Sequence, residues 1–492
     1  MSDAEPTNAA VAFSVDGERL EGREGDTLAA AMLRAGVTTF TRSIKYHRPR
    51  GPFCFAGSCG QCLVRVDGVP SLPACQVPLH AGLACERQNA PLGLVDNDLF
   101  RAVDFLFPSG LDHHHLMVQS KLLGQVSLEV ARRLAGLGTL PDRPHVAPAG
   151  AMRDAPLVIV GAGPAGLAAA RGAIERGISG LRPLLLERTS DAGGAARLFG
   201  HGSAVVEQLD ALGDRVEFLR HAEVVGLYAD EQASGSALLA VRLRDRLLAV
   251  RARRVILATG GASQPLPFPG NDRPGVYAAR GLLALHEETG VRVGEGEPIA
   301  LVGGGRELEA CAAALRSRGY ALAAQVDVYN HTVMDKEGAI RLSGEVVRVR
   351  GRPVAELQVR LASSSGAPRA SGELRQIRCG AVAIALPPAA LHDLASSAGA
   401  RAQVAEGESG FPLVIDEQGR TSARWIFACG TVAGRPVFDL ARTAHETVGS
   451  AQPAGPPWSS EPLALAVRAG GMAASEAAAL AAAESTSLAF DK

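Results

Sequence analysis

Twice along the chain a short apolar run ends directly in a turn of glycines, and this repeated device restricts the fold more than any other feature. Leu157-Val158-Ile159-Val160 meets Gly161-Ala162-Gly163-Pro164-Ala165-Gly166, and Ile299-Ala300-Leu301-Val302 meets Gly303-Gly304-Gly305-Arg306-Glu307-Leu308. A buried strand that turns sharply into a helix needs glycine where the dihedrals are unusual and where helix and strand touch. The repetition continues downstream. Glu223-Val224-Val225 leads through a meander of strands to Val255-Ile256-Leu257-Ala258-Thr259-Gly260, and Glu345-Val346-Val347 leads to Val382-Ala383-Ile384-Ala385-Leu386-Pro387. Two copies of strand, glycine turn, helix, strand, meander and strand are the plan of paired Rossmann-like dinucleotide-binding domains.

The first copy carries the features expected of an FAD site. Gly161 makes the turn, Gly163 lets backbone approach a pyrophosphate, and Gly166 lets the helix pack on the strand, with Pro164 and Ala165 between them. The strand Leu184-Leu185-Leu186 ends at Glu187, placed to accept from a ribose 2′-hydroxyl, with Arg188 next to it. Gly193-Gly194 supplies another backbone turn for the phosphates. Val224, Thr259-Gly260 and Gly430, at the end of Trp425-Ile426-Phe427-Ala428-Cys429-Gly430, complete the expected FAD contacts. The alternative is an empty, decayed fold. Thr431 stands where most FAD enzymes of this architecture carry Asp, so a hydroxyl replaces a carboxylate near the ribityl chain.

The second copy keeps Gly303, Gly304 and Gly305 but has Leu308 in place of the third glycine. The following strand ends near Val328-Tyr329-Asn330, with neither a clear ribose carboxylate nor an Arg for a 2′-phosphate. Two readings stay open: a site for NAD or another adenine nucleotide, or a scaffold domain with a relic loop. No Cys-x4-Cys or Cys-x2-Cys pair adjoins either glycine turn, which argues against disulfide reductase chemistry.

Five of the eight cysteines, Cys54, Cys59, Cys62, Cys75 and Cys85, crowd near the amino terminus, whereas Cys311, Cys379 and Cys429 lie singly in apolar surroundings. The spacing Cys54-x4-Cys59-x2-Cys62-x12-Cys75 supplies the four thiolates of a 2Fe-2S cluster, two per iron. Gly57 and Gly60 allow loop amides to turn inward toward the sulfides. Zinc is the competing reading, but zinc sites favour two close pairs or Cys/His mixtures, and the spacing favours the cluster. Cys85 is left as a buried thiol. Around these cysteines, alternation in Val11-Ala12-Phe13-Ser14-Val15, a turn at Gly17-Glu18 and a helix over Thr27 to Ala35 with Asp26 as N-cap suggest a β-grasp ferredoxin-like domain.

The expected order in 492 residues is therefore α/β. A ferredoxin-like domain over 9–98 precedes a helical connector and linker over 99–150. An FAD-binding domain in two parts, 151–270 and 396–450, encloses a second dinucleotide domain over 271–395, and an Ala-rich helical tail over 451–492 carries no legible chemistry. Net charge of −1 points to no nucleic-acid partner, and the polar start and lack of a long apolar run suggest neither a secretion signal nor a transmembrane segment. Cysteine usage suggests a reducing cytoplasm. His113-His114-His115 resembles a metal cluster, but consecutive residues point in different directions, so packing is the expected use. Lys45-Tyr46-His47-Arg48-Pro49-Arg50-Gly51 reads as a solvated basic face, an inter-subunit contact or a phosphate contact.

That basic stretch, extended to Ser43-Ile44, resembles the amino-terminal domain of the α subunit of heterotetrameric sarcosine oxidase. So do Leu106-Phe107-Pro108-Ser109-Gly110, the run Ala135-Gly136-Leu137-Gly138-Thr139-Leu140-Pro141, and the Gly161 turn. The resemblance covers most of the chain. That subunit usually lacks the four cysteines. Their presence makes the chain more similar to the α subunits of opine (octopine and nopaline) dehydrogenases, hydroxyproline and proline dehydrogenases, and hydrogen cyanide synthase. No cysteine follows Cys429, so the carboxy-terminal four-cysteine module of several such relatives is not expected.

The resemblance implies an oxidase-like flavoprotein β subunit with its own FAD, where an amino acid or N-substituted amine loses hydride. It also implies FMN near the subunit interface, small additional subunits, a downstream electron acceptor, and contact with the inner membrane only through partners. On this reading the chain relays electrons and holds no catalytic base. An NAD(P)H-dependent FAD/2Fe-2S reductase and a scaffolding subunit with degenerate nucleotide sites are the competing functions.

Overall fold

Period-two burial starts the fold: in Ala10–Val15 the side chains of Phe13 and Val15 are buried while Ser14 between them is half-buried. This strand pairs antiparallel with Glu18–Arg23 and parallel with Ala84–Arg87. Leu63–Val66 and Val69–Pro73 complete a five-stranded sheet. The helix Leu28–Arg34 lies against it, so close that a Cβ at Gly22 would sit 2.8 Å from the Ala31 methyl. Thr27 caps this helix by accepting from Ala30 N–H at 3.3 Å. Asp26, expected as the cap, instead accepts from Arg23 N–H and pairs with Arg34 at 3.0 Å.

The computed structural model describes residues 9–43, 47–89, 150–230, 236–243, 246–294, 296–329, 340–362, 372–405, 409–436 and 460–490. The His113-His114-His115 run, the connector up to 149 and Ile44-Lys45-Tyr46 lie outside them. The chain divides into two compact units, Met1–Pro144 with Pro265–Leu386, and His145–Gln264 with Pro387–Lys492. The ferredoxin-like domain and the second dinucleotide domain thus share one unit.

In that first unit a seven-stranded sheet runs in the order Val276–Ala278, Ala381–Ala385, Ile299–Gly303, Leu322–Asp327, Ile340–Gly351, Val354–Leu361 and Leu374–Arg378. Its strands Ala381–Ala385 and Ile299–Gly303 pair parallel and are fully buried, as a sheet covered on both faces requires.

In the second unit the parallel order is Glu217–Leu219, Leu184–Leu186, Leu157–Val160, Arg254–Leu257 and Ile426–Ala428. A four-stranded sheet containing the meander Glu223–Ala229, Ala237–Arg242 and Leu247–Ala252 accompanies it. The carboxy-terminal helix Ser460–Phe490 is part of this unit's core. Ala466, Ala469, Ala473, Ala474 and Ala477 are buried, and a Cβ at Gly470 would lie 1.9 Å from the Ala169 carbonyl oxygen. Its Ser460–Ala482 stretch is long and apolar enough by length and composition alone to cross a bilayer, and its small apolar side lies on the helix Pro164–Glu175.

Candidate functional site

The cysteine loop rests on the second dinucleotide domain of its own unit. Ala278 N–H donates to the Phe53 carbonyl at 3.0 Å, and Phe55 stacks on Tyr277 with centroids 6.1 Å apart. Gly281, in the first turn of the helix Ala279–Thr289, leaves room for the loop, since a Cβ there would lie 2.9 Å from the Cys54 carbonyl oxygen. Phe55 holds a φ of +50°, costly for a bulky residue. Gly57 and Gly60 take φ of +73° and +64°, and Ala56 N–H reaches Cys54 Sγ at 3.4 Å.

Cys54, Cys62 and Cys75 are buried, and Cys59 is half-buried between exposed Gly57, Ser58 and Gly60. Cys59 and Cys75 lie within hydrogen-bonding reach of Cys54, and Cys75 also of Cys62. Those bonds hold Cys54 and Cys62 below the ordinary thiol value and push Cys59 and Cys75 above it, with burial adding to the rise. Among the described residues no group of three or more His, Cys, Asp and Glu side chains is arranged for one metal ion. Two thiol pairs, Cys54 with Cys59 and Cys62 with Cys75, suit two irons holding two thiolates each. The donor set fits a 2Fe-2S cluster. Cys85 is 1% exposed, and burial pushes its thiol up to about 12.

The described part of the basic stretch, residues 47–51, alternates between buried and exposed positions. His47 is buried, Arg50 pairs with Asp272 at 3.8 Å, and a Cβ at Gly51 would lie 3.4 Å from Pro274 Cα. His47, Pro49 and Gly51 thus pack inside the first unit, while the charged Arg48 stays exposed and Arg50 half-buried.

In the second unit the Gly161 turn, the strand ends and Gly430 converge. Gly161 has φ of +101°, and a Cβ there would lie 2.4 Å from the Ala258 carbonyl oxygen, beside Thr259. At Gly166 a Cβ would sit 1.8 Å from the Gly161 carbonyl oxygen, so helix and turn touch only because it is absent. Pro164 and Ala165 open the helix Pro164–Glu175. Gly163 and Gly260 face open space within 4 Å, a cradle that a Cβ would begin to fill.

Buried Glu187 accepts from Ala162 N–H at 2.9 Å through one oxygen, and from Thr189 N–H at 3.0 Å and Thr189 Oγ1 at 2.9 Å through the other. Arg188 follows it at the surface. Gly193 N–H donates to the Ala162 carbonyl at 2.9 Å, and Gly194 lies against Gly163. Val224 buries its side chain in the core, so only its backbone remains for a nucleotide. Thr259 Oγ1 donates to the Leu391 carbonyl at 2.8 Å, and Gly430 packs on Ala165. Thr431 is half-buried, its methyl turned toward Gly261. These residues fit an adenine dinucleotide lying along the turn.

The second turn differs. Gly305 faces open space, but Gly304 lies under the Tyr329 ring, 2.0 Å from where a Cβ would be. Leu308 is buried where Gly166 stands in the first copy. Glu307, in the first turn of the helix Gly305–Ser317, is 2% exposed and paired with Arg280 at 2.6 and 2.8 Å. One expectation is corrected here: the strand ends at Asp327, not beyond it, and Asp327 pairs in register with Gly303. Glu187 occupies the equivalent place, since Val160 pairs with Leu186 one residue before Gly161 and Glu187. Asp327 also accepts from the N–H two residues on, Tyr329 at 2.9 Å, as Glu187 does from Thr189. A carboxylate therefore stands at the strand end in the place that Glu187 holds in the first copy. The signal was the interval from glycine turn to acid, similar in the two copies.

Residues 155–448 match the family model of the pyridine nucleotide-disulphide oxidoreductases, and residues 8–90 that of the 2Fe-2S iron-sulfur cluster binding domain. The sarcosine oxidase alpha subunit of Rhizobium meliloti (strain 1021) is 31% identical over 375 residues, 69% of this chain and 36% of that protein. Its opine oxidase counterpart, the A subunit from Agrobacterium tumefaciens (strain Ach5), is 25% identical over 315 residues, 56% of this chain and 61% of its own length. The chain spans about a third of the length of the sarcosine oxidase subunits it matches. The crystal structure of L-proline dehydrogenase from P. horikoshii shares the fold with a TM-score of 0.62 at 19% identity, over 90% of this chain and 72% of that one. The expected fold class, a β-grasp ferredoxin-like domain before two Rossmann-like domains, holds. The cofactors are a 2Fe-2S cluster and FAD, and the protein is an oxidoreductase. With one glycine-turn domain shaped for a flavin nucleotide and a cysteine loop lodged beside the other, the chain belongs to the pyridine nucleotide-disulphide oxidoreductase family, in the branch that holds the sarcosine oxidase alpha and opine oxidase A subunits.

Proposed function

We propose that this chain is the electron-transfer α-type subunit of a heteromeric flavin-dependent amino acid or amine dehydrogenase or oxidase, of the opine, sarcosine or proline-like kind. Substrate oxidation belongs to an oxidase-like flavoprotein partner, and this chain passes the electrons to an acceptor. In this reading Cys54, Cys59, Cys62 and Cys75 ligate the cluster. Gly161 to Gly166, Glu187, Arg188, Gly193, Gly194, the Val224 backbone, Thr259, Gly260, Gly430 and Thr431 hold FAD. FMN at the subunit interface belongs to the same proposal.

The observation that carries it is that one chain holds two redox cradles and, among the described residues, no further cysteine pair placed for dithiol chemistry. Among the described residues the cysteines outside the cluster loop, Cys85, Cys311, Cys379 and Cys429, are buried, and burial raises their thiols, so none serves as a redox pair. FAD takes an electron pair and returns electrons singly, and a 2Fe-2S cluster carries one at a time. The chain's own residues position and insulate those groups. Glu187 orients the ribose, Gly163 and Gly260 clear the phosphate path, and the buried side of the cysteine loop keeps water from Cys54 and Cys62.

Asp327 favours a second reading, a reductase fed at the Gly303 turn by NADH. Its carboxylate accepts from a free ribose 2′-hydroxyl and repels a 2′-phosphate. Leu308 and the Tyr329 ring over Gly304 oppose the close backbone approach that hydride delivery needs. Anaerobic mixing separates the two. The holoprotein with NADH alone keeps its flavin absorbance, and with the co-purified flavoprotein partner plus an opine, sarcosine or proline it bleaches and the cluster signal appears. Rapid bleaching by NADH without the partner would sink the electron-transfer assignment.

A further inference from the structure

We propose that Gln76 tunes the 2Fe-2S cluster, its side-chain amide donating one N–H to the Cys75 carbonyl and the other to the Cys75 sulfur. The inference rests on the reading of the four cysteines as ligands. Gln76 Nε2 lies 3.0 Å from the Cys75 carbonyl oxygen and 3.8 Å from Cys75 Sγ. A primary amide nitrogen carries two hydrogens, so both bonds form at once. The shorter bond fixes the amide, and the longer distance is a contact for an atom as large as sulfur.

The loop is shaped to receive this side chain. A Cβ at Gly57 would lie 3.0 Å from Gln76 Cγ and 3.3 Å from Cδ, so glycine there lets Gln76 fold down over the loop. Gln76 arrives from outside the Cys54-to-Cys62 segment, whereas Cys54 takes its donors, Ala56 N–H and the Ser58 hydroxyl, from that segment itself. The second thiol pair thus receives a side-chain donor from the short 3-10 turn Ala74–Gln76. Gln76 is exposed, so its conservative replacement leaves the core intact.

The direction of the effect follows from charge. Reduction puts one more negative charge on iron and its sulfurs, and an N–H aimed at a ligand sulfur stabilises that state more than the oxidised one. Removing the donor lowers the midpoint potential.

The experiment is a potentiometric titration of the full chain with its FAD and cluster, followed by electron paramagnetic resonance. Gln76→Leu is expected to reduce the equilibrium constant for cluster reduction about threefold to tenfold, tenfold being about 59 mV for one electron. Gln76→Glu keeps length and shape but replaces the donor with negative charge, so it shifts the potential further in the same direction. Both variants keep wild-type iron and acid-labile sulfide. Potentials equal to wild type in both variants, with full iron content, overturn the proposal. Loss of iron from both overturns it in favour of a purely structural hold. If only Gln76→Leu loses iron, the uncharged, similarly long Gln76→Met decides: a lowered potential upholds the proposal and a wild-type value overturns it. Wild-type protein without acid-labile sulfide overturns the ligand reading itself, a separate and recognisable outcome.

Discussion

Glu187 accepts three hydrogen bonds within its own strand-and-turn junction, two of them from Thr189 and one from Ala162. A carboxylate offers about four lone-pair positions, so one direction stays open toward a ribose. Glu187→Gln keeps the shape but turns an NH2 group against either the Ala162 or the Thr189 donor. The expected result is a loss of about 1–2 kcal/mol in FAD binding, read as a roughly tenfold higher dissociation constant when deflavinated protein is titrated with FAD. Binding within twofold of wild type would count against its role. Glu187 was legible because the apolar strand stops where the acid begins. Asp327 was not, because Val328 and Tyr329 prolong the apolar pattern past the end of the strand, and only the pairing of Gly303 with Asp327 exposes the equivalence. Gln76 was hidden for another reason. Nothing in a sequence says that a residue beside the fourth cysteine folds back over Gly57.

At the scale of elements, the helix Ser460–Phe490 differs most from expectation. An Ala-rich run offers no large apolar stripe, so its sequence shows helical potential but not what it packs on. The structure answers with small residues on both sides. Gly172 on the helix Pro164–Glu175 would place a Cβ 2.0 Å from the Val467 carbonyl oxygen, and Gly470 answers against Ala169. Glu476 then bonds Arg254 at 2.6 Å and Arg420 at 2.9 Å, fastening the helix to the strand Arg254–Leu257 and to the bridge that Arg420 makes with Phe427. Because backbone rather than a flexible side chain fills the space at Gly470, Gly470→Ala forces the two helices apart. The expected cost is about 1–3 kcal/mol, seen as a fall of several degrees in thermal midpoint together with faster FAD loss from the neighbouring turn. Ser475→Ala removes a hydroxyl that only bonds the Gly471 carbonyl and should cost less than about 0.5 kcal/mol. Equal effects of the two would mean that the close crossing is not what holds the helix. The glycine turns and the meanders, by contrast, were legible, because each combines local dihedral demands with alternating burial.

At the scale of the whole molecule, the chain order and the folded grouping differ. The expected nesting of one dinucleotide domain inside another follows from the duplicated pattern. The joining of the ferredoxin-like domain to the inserted one depends on pairs such as Arg50 with Asp272 and Cys54 against Gly281, which are far apart in sequence. The four cysteines proposed as cluster ligands therefore lie in one unit and the glycine turn proposed for FAD in the other. A ligand that binds only the folded state stabilises the unit that holds it, by about 2.7 kcal/mol at a hundredfold excess over its dissociation constant. Two transitions are then expected in calorimetry. Stripping the cluster with chelator under reducing acid conditions and returning to neutral pH lowers one transition, and removing FAD lowers the other. Glu307→Gln, which takes the carboxylate from the half-buried Arg280 guanidinium, should destabilise by about 1–3 kcal/mol and act only on the transition that responds to the cluster. A single transition moved equally by loss of either cofactor, and by Glu307→Gln as well, would mean that the two units fold as one cooperative body and that the division into separate cofactor-bearing units has no thermodynamic content.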